Sequence, residues 1–252
     1  MDAMDWPARY AAGDRATVWQ EMREVGADIR SPGLLAPATE VCDEMARRAR
    51  RNVEELVRRL TAAGYRFHSN DGRRTSMPPH SPPTATAGEH ADWLDEQFGG
   101  VPLTMKSWVR HVGDVWFVGT HPDWADADAS DPLVLEIEGT VQGETDGEAI
   151  QGYFEDEHDA WSEWSDEDPD ADPFVIPLAP DALHKSNTSG GDPYGIVLPD
   201  RGVDGTWSGE TLMSFVDYLN DVFAHGGFPG VAADDAIGRR ITADLARDLL
   251  EL

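Results

Sequence analysis

A chain of 252 residues with 40% apolar side chains and nine tryptophans is long enough to bury a substantial core. Forty-eight Asp and Glu against twenty Lys and Arg give a formal net charge of −28, a field that repels nucleic acid and anionic membrane and attracts cations or basic proteins. A single cysteine, Cys42, excludes an internal disulfide, and no apolar run approaches the roughly 18 residues of a membrane helix.

The first ten residues, MDAMDWPARY, lack the basic and apolar regions of a signal peptide, so the expected compartment is the cytoplasm. The first third has helical texture. Val18, Met22 and Val25 fall at helical spacing before Gly26, and Pro32 and Gly33 break the pattern. From about 38 to 63, Val41, Met45, Ala49, Val53, Leu56, Val57 and Leu60 form one apolar stripe that Gly64 closes, with Cys42 beside it. Arg47, Arg48, Arg50, Arg51, Arg58 and Arg59 occupy the other faces and are expected to pair with acidic neighbours or stay solvated. Residues 68–88 hold four prolines and almost no large apolar side chain, the composition of a linker.

Beyond 88 the spacing predicts a short helix with Trp93, Leu94 and Phe98 inward and a second starting near Thr104. Strands are expected at 115–118, 133–138, 174–179 and 194–199. Leu212, Phe215, Val216, Leu219 and Phe223 predict a helix, and Ile241, Leu245 and Leu249 a last one near 241–251. The fold class is α+β. The expected division is a helical region at 1–67, the linker at 68–88, an α+β domain at 89–230 and a C-terminal helix within 231–252.

Catalytic and metal motifs are weak. In HKSNTSGGDPYG (184–195) a lysine, hydroxyl groups and two glycines invite a phosphate-cradle reading, with His184, Lys185, Ser189, Gly190, Gly191 and Tyr194 around an anion pocket. A P-loop, however, places its lysine after the glycines and opens a helix, whereas Lys185 precedes Gly190 and Gly191 and a strand follows Pro193. The bland alternative is a tight turn in which the two glycines supply positive φ angles. Asp166, Asp168 and Asp170 have calcium-loop spacing, but Ala171 and Pro177 stand where that loop needs Gly and Glu. His121 and Asp123 are a close pair bracketed by apolar residues, expected to be structural. No metal or cofactor is expected.

The segment 144–172 carries thirteen acidic residues, no Lys or Arg, and four aromatics: Tyr153, Phe154, Trp161 and Trp164. One reading packs Phe154, Trp161 and Trp164 into a core from a partly helical segment. The other is a docking surface in which aromatics anchor and carboxylates steer. Its residues would be Glu155, Asp156, Glu157, Asp159, Trp161, Trp164, Asp166, Asp168 and Asp170. Carboxylates spread in this way can imitate a phosphate backbone in the basic groove of a nuclease.

GGVPLTMKSWVRHVGDVWFVG (99–119) resembles the opening of the Smi1/Knr4-like (SUKH) superfamily, where a short helix follows a Leu-Pro-type step and leads through a turn into the first strand. FVIPLA with SGGDPYGIVLP resembles that family's later strand pair, and SFVDYLNDVF its closing helix; the combination with GGFPG resembles a group of actinobacterial proteins. The resemblance covers about 89–230. It implies an α+β fold with a mixed, mainly antiparallel sheet flanked by helices, no shared catalytic residues, and for many bacterial members an immunity role against secreted toxins, often nucleases. The helical first third and the acidic 144–172 segment lie outside the family pattern. The expectation is a non-enzymatic protein that binds a basic partner, with an enzyme built on the 184–195 turn, or an acidic scaffold, as the rival readings.

Overall fold

A computed structural model describes residues 5–140, 147–168 and 170–252. Two short helices come first, α1 (Trp6–Ala11) and α2 (Arg15–Val25), with Tyr10 meeting Trp19 edge-on at 6.0 Å between ring centroids. The apolar stripe becomes α3 (Leu35–Ala62), on which Val41, Met45, Ala49, Val53, Leu56 and Leu60 are all buried. Cys42 and Ala46 are buried beside them and widen the stripe, and burial pushes the Cys42 thiol well above its ordinary pKa. Five of the six arginines on the other faces are paired within the helix, Arg47 and Arg51 with Glu44, Arg50 with Glu54, Arg58 and Arg59 with Glu55, at 2.6 to 3.0 Å, while Arg48 donates to Glu251 O at 2.7 Å. Exposed pairs of this kind contribute about 0.3–0.5 kcal/mol each, so the stripe and not the charges holds α3 in place.

Then follow β1 (Arg66–Phe67), β2 (His80–Ser81), α4 (Ala87–Gln97), α5 (Leu103–His111), β3 (Asp114–Trp116), β4 (Gly119–Thr120) and β5 (Val134–Leu135). The second half holds α6 (Gly147–Glu167), β6 (Phe174–Ala179), α7 (Ala182–Lys185), β7 (Tyr194–Leu198), β8 (Thr206–Ser208), β9 (Leu212–Ser214), α8 (Phe215–Ala224) and α9 (Ala236–Ala246). This is an α+β fold with antiparallel sheets flanked by helices and a helical N-terminal region. Strand order is β6-β7-β8-β9 in the largest sheet, β2-β3-β5 in the second and β1-β4 in the third. Val175 pairs with Val197, Ile196 with Trp207, and Ser208 with Leu212. Ile176, Ile196 and Trp207 therefore share the buried face, where Trp207 stacks on Tyr218 of α8 at 4.2 Å.

One core cluster runs from Trp6 to Leu252. Arg23 of α2 binds Asp204 at 2.7 Å and the Ser214 hydroxyl at 2.6 Å, at the junction of β9 and α8. Asn52 of α3 exchanges two 2.8 Å hydrogen bonds with the Leu250 backbone. The proline-rich 68–88 segment is pinned as well: Trp116 donates its backbone N–H to Pro79 O and its indole N–H to His68 O.

Several elements differ from the spacing: the strand expected at 133–138 is only Val134–Leu135, and that expected at 115–118 is Asp114–Trp116. Residues 212–214 are strand, because the Ser214 hydroxyl accepts from Asp217 N–H and starts α8 only afterwards. The last helix begins at Ala236, five residues earlier than expected. Asp235 fixes that start by accepting from Gly238 N–H at 2.8 Å and from the Trp124 indole at 2.6 Å.

Candidate functional site

Helix α6 buries one edge of its surface. Phe154 is fully buried, and Ile150, His158 and Trp161 continue the same line at helical spacing. His158 meets Phe174 of β6 edge-on at 4.9 Å and Phe98 at 5.5 Å, while Phe98 and Phe174 stack at 5.8 Å. Trp161 closes the cluster at 5.7 Å from Phe174 and donates its indole N–H to Asp172 O at 2.9 Å. The packing reading holds for Phe154, Trp161 is half-buried, and Trp164 is 51% exposed.

Because the cluster grips α6 along one line only, a groove of 880 Å³ stays open between the helix and the outer face of the largest sheet. Glu157, Ala160, Trp161 and Trp164, at i, i+3, i+4 and i+7, form the helical wall. Val175, Val197, Thr206, Ser208 and Leu212 form the floor, the side of the sheet opposite Ile176, Ile196 and Trp207. Leu212 is 71% exposed. Asp172 and Asp192 join Glu157 at the rim, and no Lys or Arg lines the groove. A second hollow of 460 Å³, lined by Ile150, Tyr153, Glu136 and Pro180 among others, shares Pro177 and Pro193 with it, so a trough runs along α6.

Of the residues expected at a docking surface, Glu157, Trp161 and Trp164 line this groove. Asp156, Asp159, Asp166 and Asp170 are exposed outside it, Glu155 is half-buried, and the Asp168 carboxylate accepts the Asp170 backbone N–H at 3.0 Å. Residues 144–146 and Pro169 of the acidic segment lie outside the described residues. Asp172, at the end of the acidic segment, also lines it, and the residues not anticipated are Asp192, Val175, Val197 and Leu212. Strand alternation in FVIPLA and YGIVL was the available signal for the two valines. The acid bias also had a wider signal: between Arg110 and Arg201 the sequence holds no cation but Lys185.

The 184–195 run is built differently from a phosphate cradle. Asp181 caps the short α7 by accepting from Leu183 and His184 N–H at 2.7 and 3.1 Å, and its other oxygen lies 2.5 Å from His184 Nδ1. The Gly190 N–H points at His184 Nε2 at 3.4 Å. The left-handed residue of the turn is Asn187 (φ 60°); Gly190 and Gly191 do not have positive φ. Gly190 is required for space, since a Cβ there would sit 2.3 Å from an Asp181 carboxylate oxygen. Lys185 is 1% exposed, and its Nζ donates to Asp131 Oδ1 at 2.5 Å beneath the Tyr194 ring, 5.1 Å from the ring centroid. Burial lowers the Lys185 pKa and the Asp131 charge opposes that shift. Tyr194 is held by Glu210 at 2.8 Å, and Ser189 and Gly191 are exposed. Lys185, under Tyr194, thus clasps the turn to the loop at Asp131, while His184 is held within its own turn by Asp181.

His121 accepts the Asp123 N–H on Nδ1 at 3.1 Å, a local turn contact. Among the described residues no three His, Cys, Asp or Glu are grouped to hold a metal, and no helix is long and apolar enough to cross a membrane. Compared with protein-family models, curated proteins and solved structures, the chain matches none.

Proposed function

We propose that this chain is a non-catalytic protein-binding module of the Smi1/Knr4-like kind, working in the cytoplasm as an immunity-type inhibitor of a basic partner such as a nuclease toxin. The groove between α6 and the open sheet face carries the reading: apolar anchors (Trp161, Trp164, Leu212) lie inside a carboxylate rim (Glu157, Asp172, Asp192) with no cation among the lining residues. Interfaces of this type draw affinity from a few desolvated aromatic and aliphatic anchors, while the charges govern encounter and partner choice. The family resemblance supports it, as does the order of a helix leading into β3, the β6–β7 pair and the closing α8.

The test is titration with the purified basic protein encoded beside its gene, at low and at physiological salt. Association slows as salt shortens the screening length to about 8 Å. The paired variant Trp164→Ala/Leu212→Ala weakens binding about thirtyfold or more, and the partner's enzymatic activity is blocked by the native chain only. Unchanged affinity in that variant and in Asp172→Asn/Asp192→Asn would overturn the proposal.

A further inference from the structure

A cavity of 300 Å³, lined by none of the groove's residues, opens between the start of α4, the chain after β5 and the first turns of α6. Its deepest charged group is Glu138, only 4% exposed. The Glu138 carboxylate accepts from the Thr84 hydroxyl at 2.6 Å and from Thr84 N–H at 3.3 Å, and among the described residues no cation reaches it. Two donors leave a carboxylate with acceptor capacity to spare.

The backbone that presents Glu138 is rigid. Asp114, fully buried beneath it, accepts the N–H groups of Ile137, Glu138 and Thr140 and the Thr140 hydroxyl at 2.7 to 2.9 Å. Asp114 thereby uses its charge on the chain at 137–140 and adds a second negative charge behind the cavity. The histidine at the cavity does not neutralise either. His90 donates Nε2–H to Ile137 O at 2.7 Å, Gln151 donates to its Nδ1 at 3.2 Å, and burial lowers its pKa, which keeps the ring neutral. Burial, with Asp114 nearby, raises the Glu138 carboxyl above its ordinary range. Trp93, stacked on His90 at 5.5 Å and 17°, supplies an aromatic wall.

We infer that this cavity is a binding site for a small organic cation with N–H donors, a primary ammonium or a guanidinium, held by Glu138 and packed against Trp93. A buried carboxylate without a cation, at a cavity lined also by the Trp93 side chain, offers what such a group uses: charge-assisted hydrogen bonds to its N–H donors and an aromatic wall for its apolar part. A bare metal ion fits less well, because no three ligating side chains converge here. The inference does not depend on the docking groove.

Isothermal titration calorimetry of the full chain with butylamine, butylguanidine and choline, at matched ionic strength, tests it. One-to-one binding of butylamine or butylguanidine is expected, and which of the two binds more tightly identifies the favoured head group. Choline, which has charge but no N–H donor, binds at least tenfold more weakly. Glu138→Gln weakens the amine by about ten- to a hundredfold, and Trp93→Leu, at a half-buried position, weakens it without touching the carboxylate. Equal response to choline would reduce the effect to the general attraction of a chain of net charge −28. That result, no binding of either amine, or unchanged affinity in both variants, overturns the site.

Discussion

Lys185 and Asp131 lie 54 residues apart in sequence, yet Nζ and Oδ1 meet at 2.5 Å with the lysine side chain wholly buried. Removing one partner strands the other charge in the interior. Lys185→Met is expected to cost about 3–5 kcal/mol, and Lys185→Met/Asp131→Asn, which removes the stranded charge and keeps a residue tolerated at the φ of 50° there, to recover part of that loss. Urea denaturation of the two variants checks both statements. A Lys185→Met chain as stable as the native one would remove the structural role assigned here.

Glu138 gives a pH signature. Its folded-state pKa is raised, so the native chain keeps a proton that the unfolded chain has released. Stability from this group is therefore highest below the ordinary carboxylate pKa and falls as pH rises through the raised value. Glu138→Gln is expected to remove that slope and to raise the melting temperature at neutral pH. Melting curves across pH for both chains check it, the difference between them separating Glu138 from Asp114, Glu89 and His90 close by.

The two faces of α6 should separate stability from binding. Phe154→Ala empties a fully buried site and is expected to cost about 3–5 kcal/mol. Trp164→Ala is expected to stay within about 0.5 kcal/mol of the native stability while it weakens binding of the proposed basic partner. Denaturation and titration on the same preparations distinguish them.

The glycines of the 184–195 run differ sharply in what they tolerate. A Cβ at Gly195 would lie 1.8 Å from Ile176 O across the β6–β7 pair, whereas nothing lies within 4 Å of one at Gly191. Gly195→Ala is expected to cost about 1–3 kcal/mol, and Gly191→Ala to be near neutral. Thermal denaturation ranks them.

Long-period patterns were legible. The stripe from Val41 to Leu60 specified α3, and FVIPLA and YGIVL specified β6 and β7, because many residues there repeat one period. Short elements were not, because a local cap overrides so few periodic positions. Ser214 turned Leu212 from an expected helical core residue into an exposed strand residue, and Asp235 moved the last helix through a contact to Trp124, 111 residues away. The acidic segment announced its charge and its aromatics. Which aromatic faced outward depended on Phe98 and Phe174, outside the helix. Lys185 stood out as the cation of the Gly-rich run, but its partner Asp131 left no local mark in the sequence.

The buried Lys185 has a practical consequence. The other lysine, Lys106, has a side chain only 13% exposed and sits between Asp92 and Asp95 at 3.1 Å from each. Amine-directed labels and crosslinkers will find no open lysine on the folded chain. Carbodiimide coupling runs the other way, joining carboxylates on this chain to lysines on the proposed basic partner with no spacer. Peptides linked through Asp172 or Asp192 would trace the contact surface residue by residue.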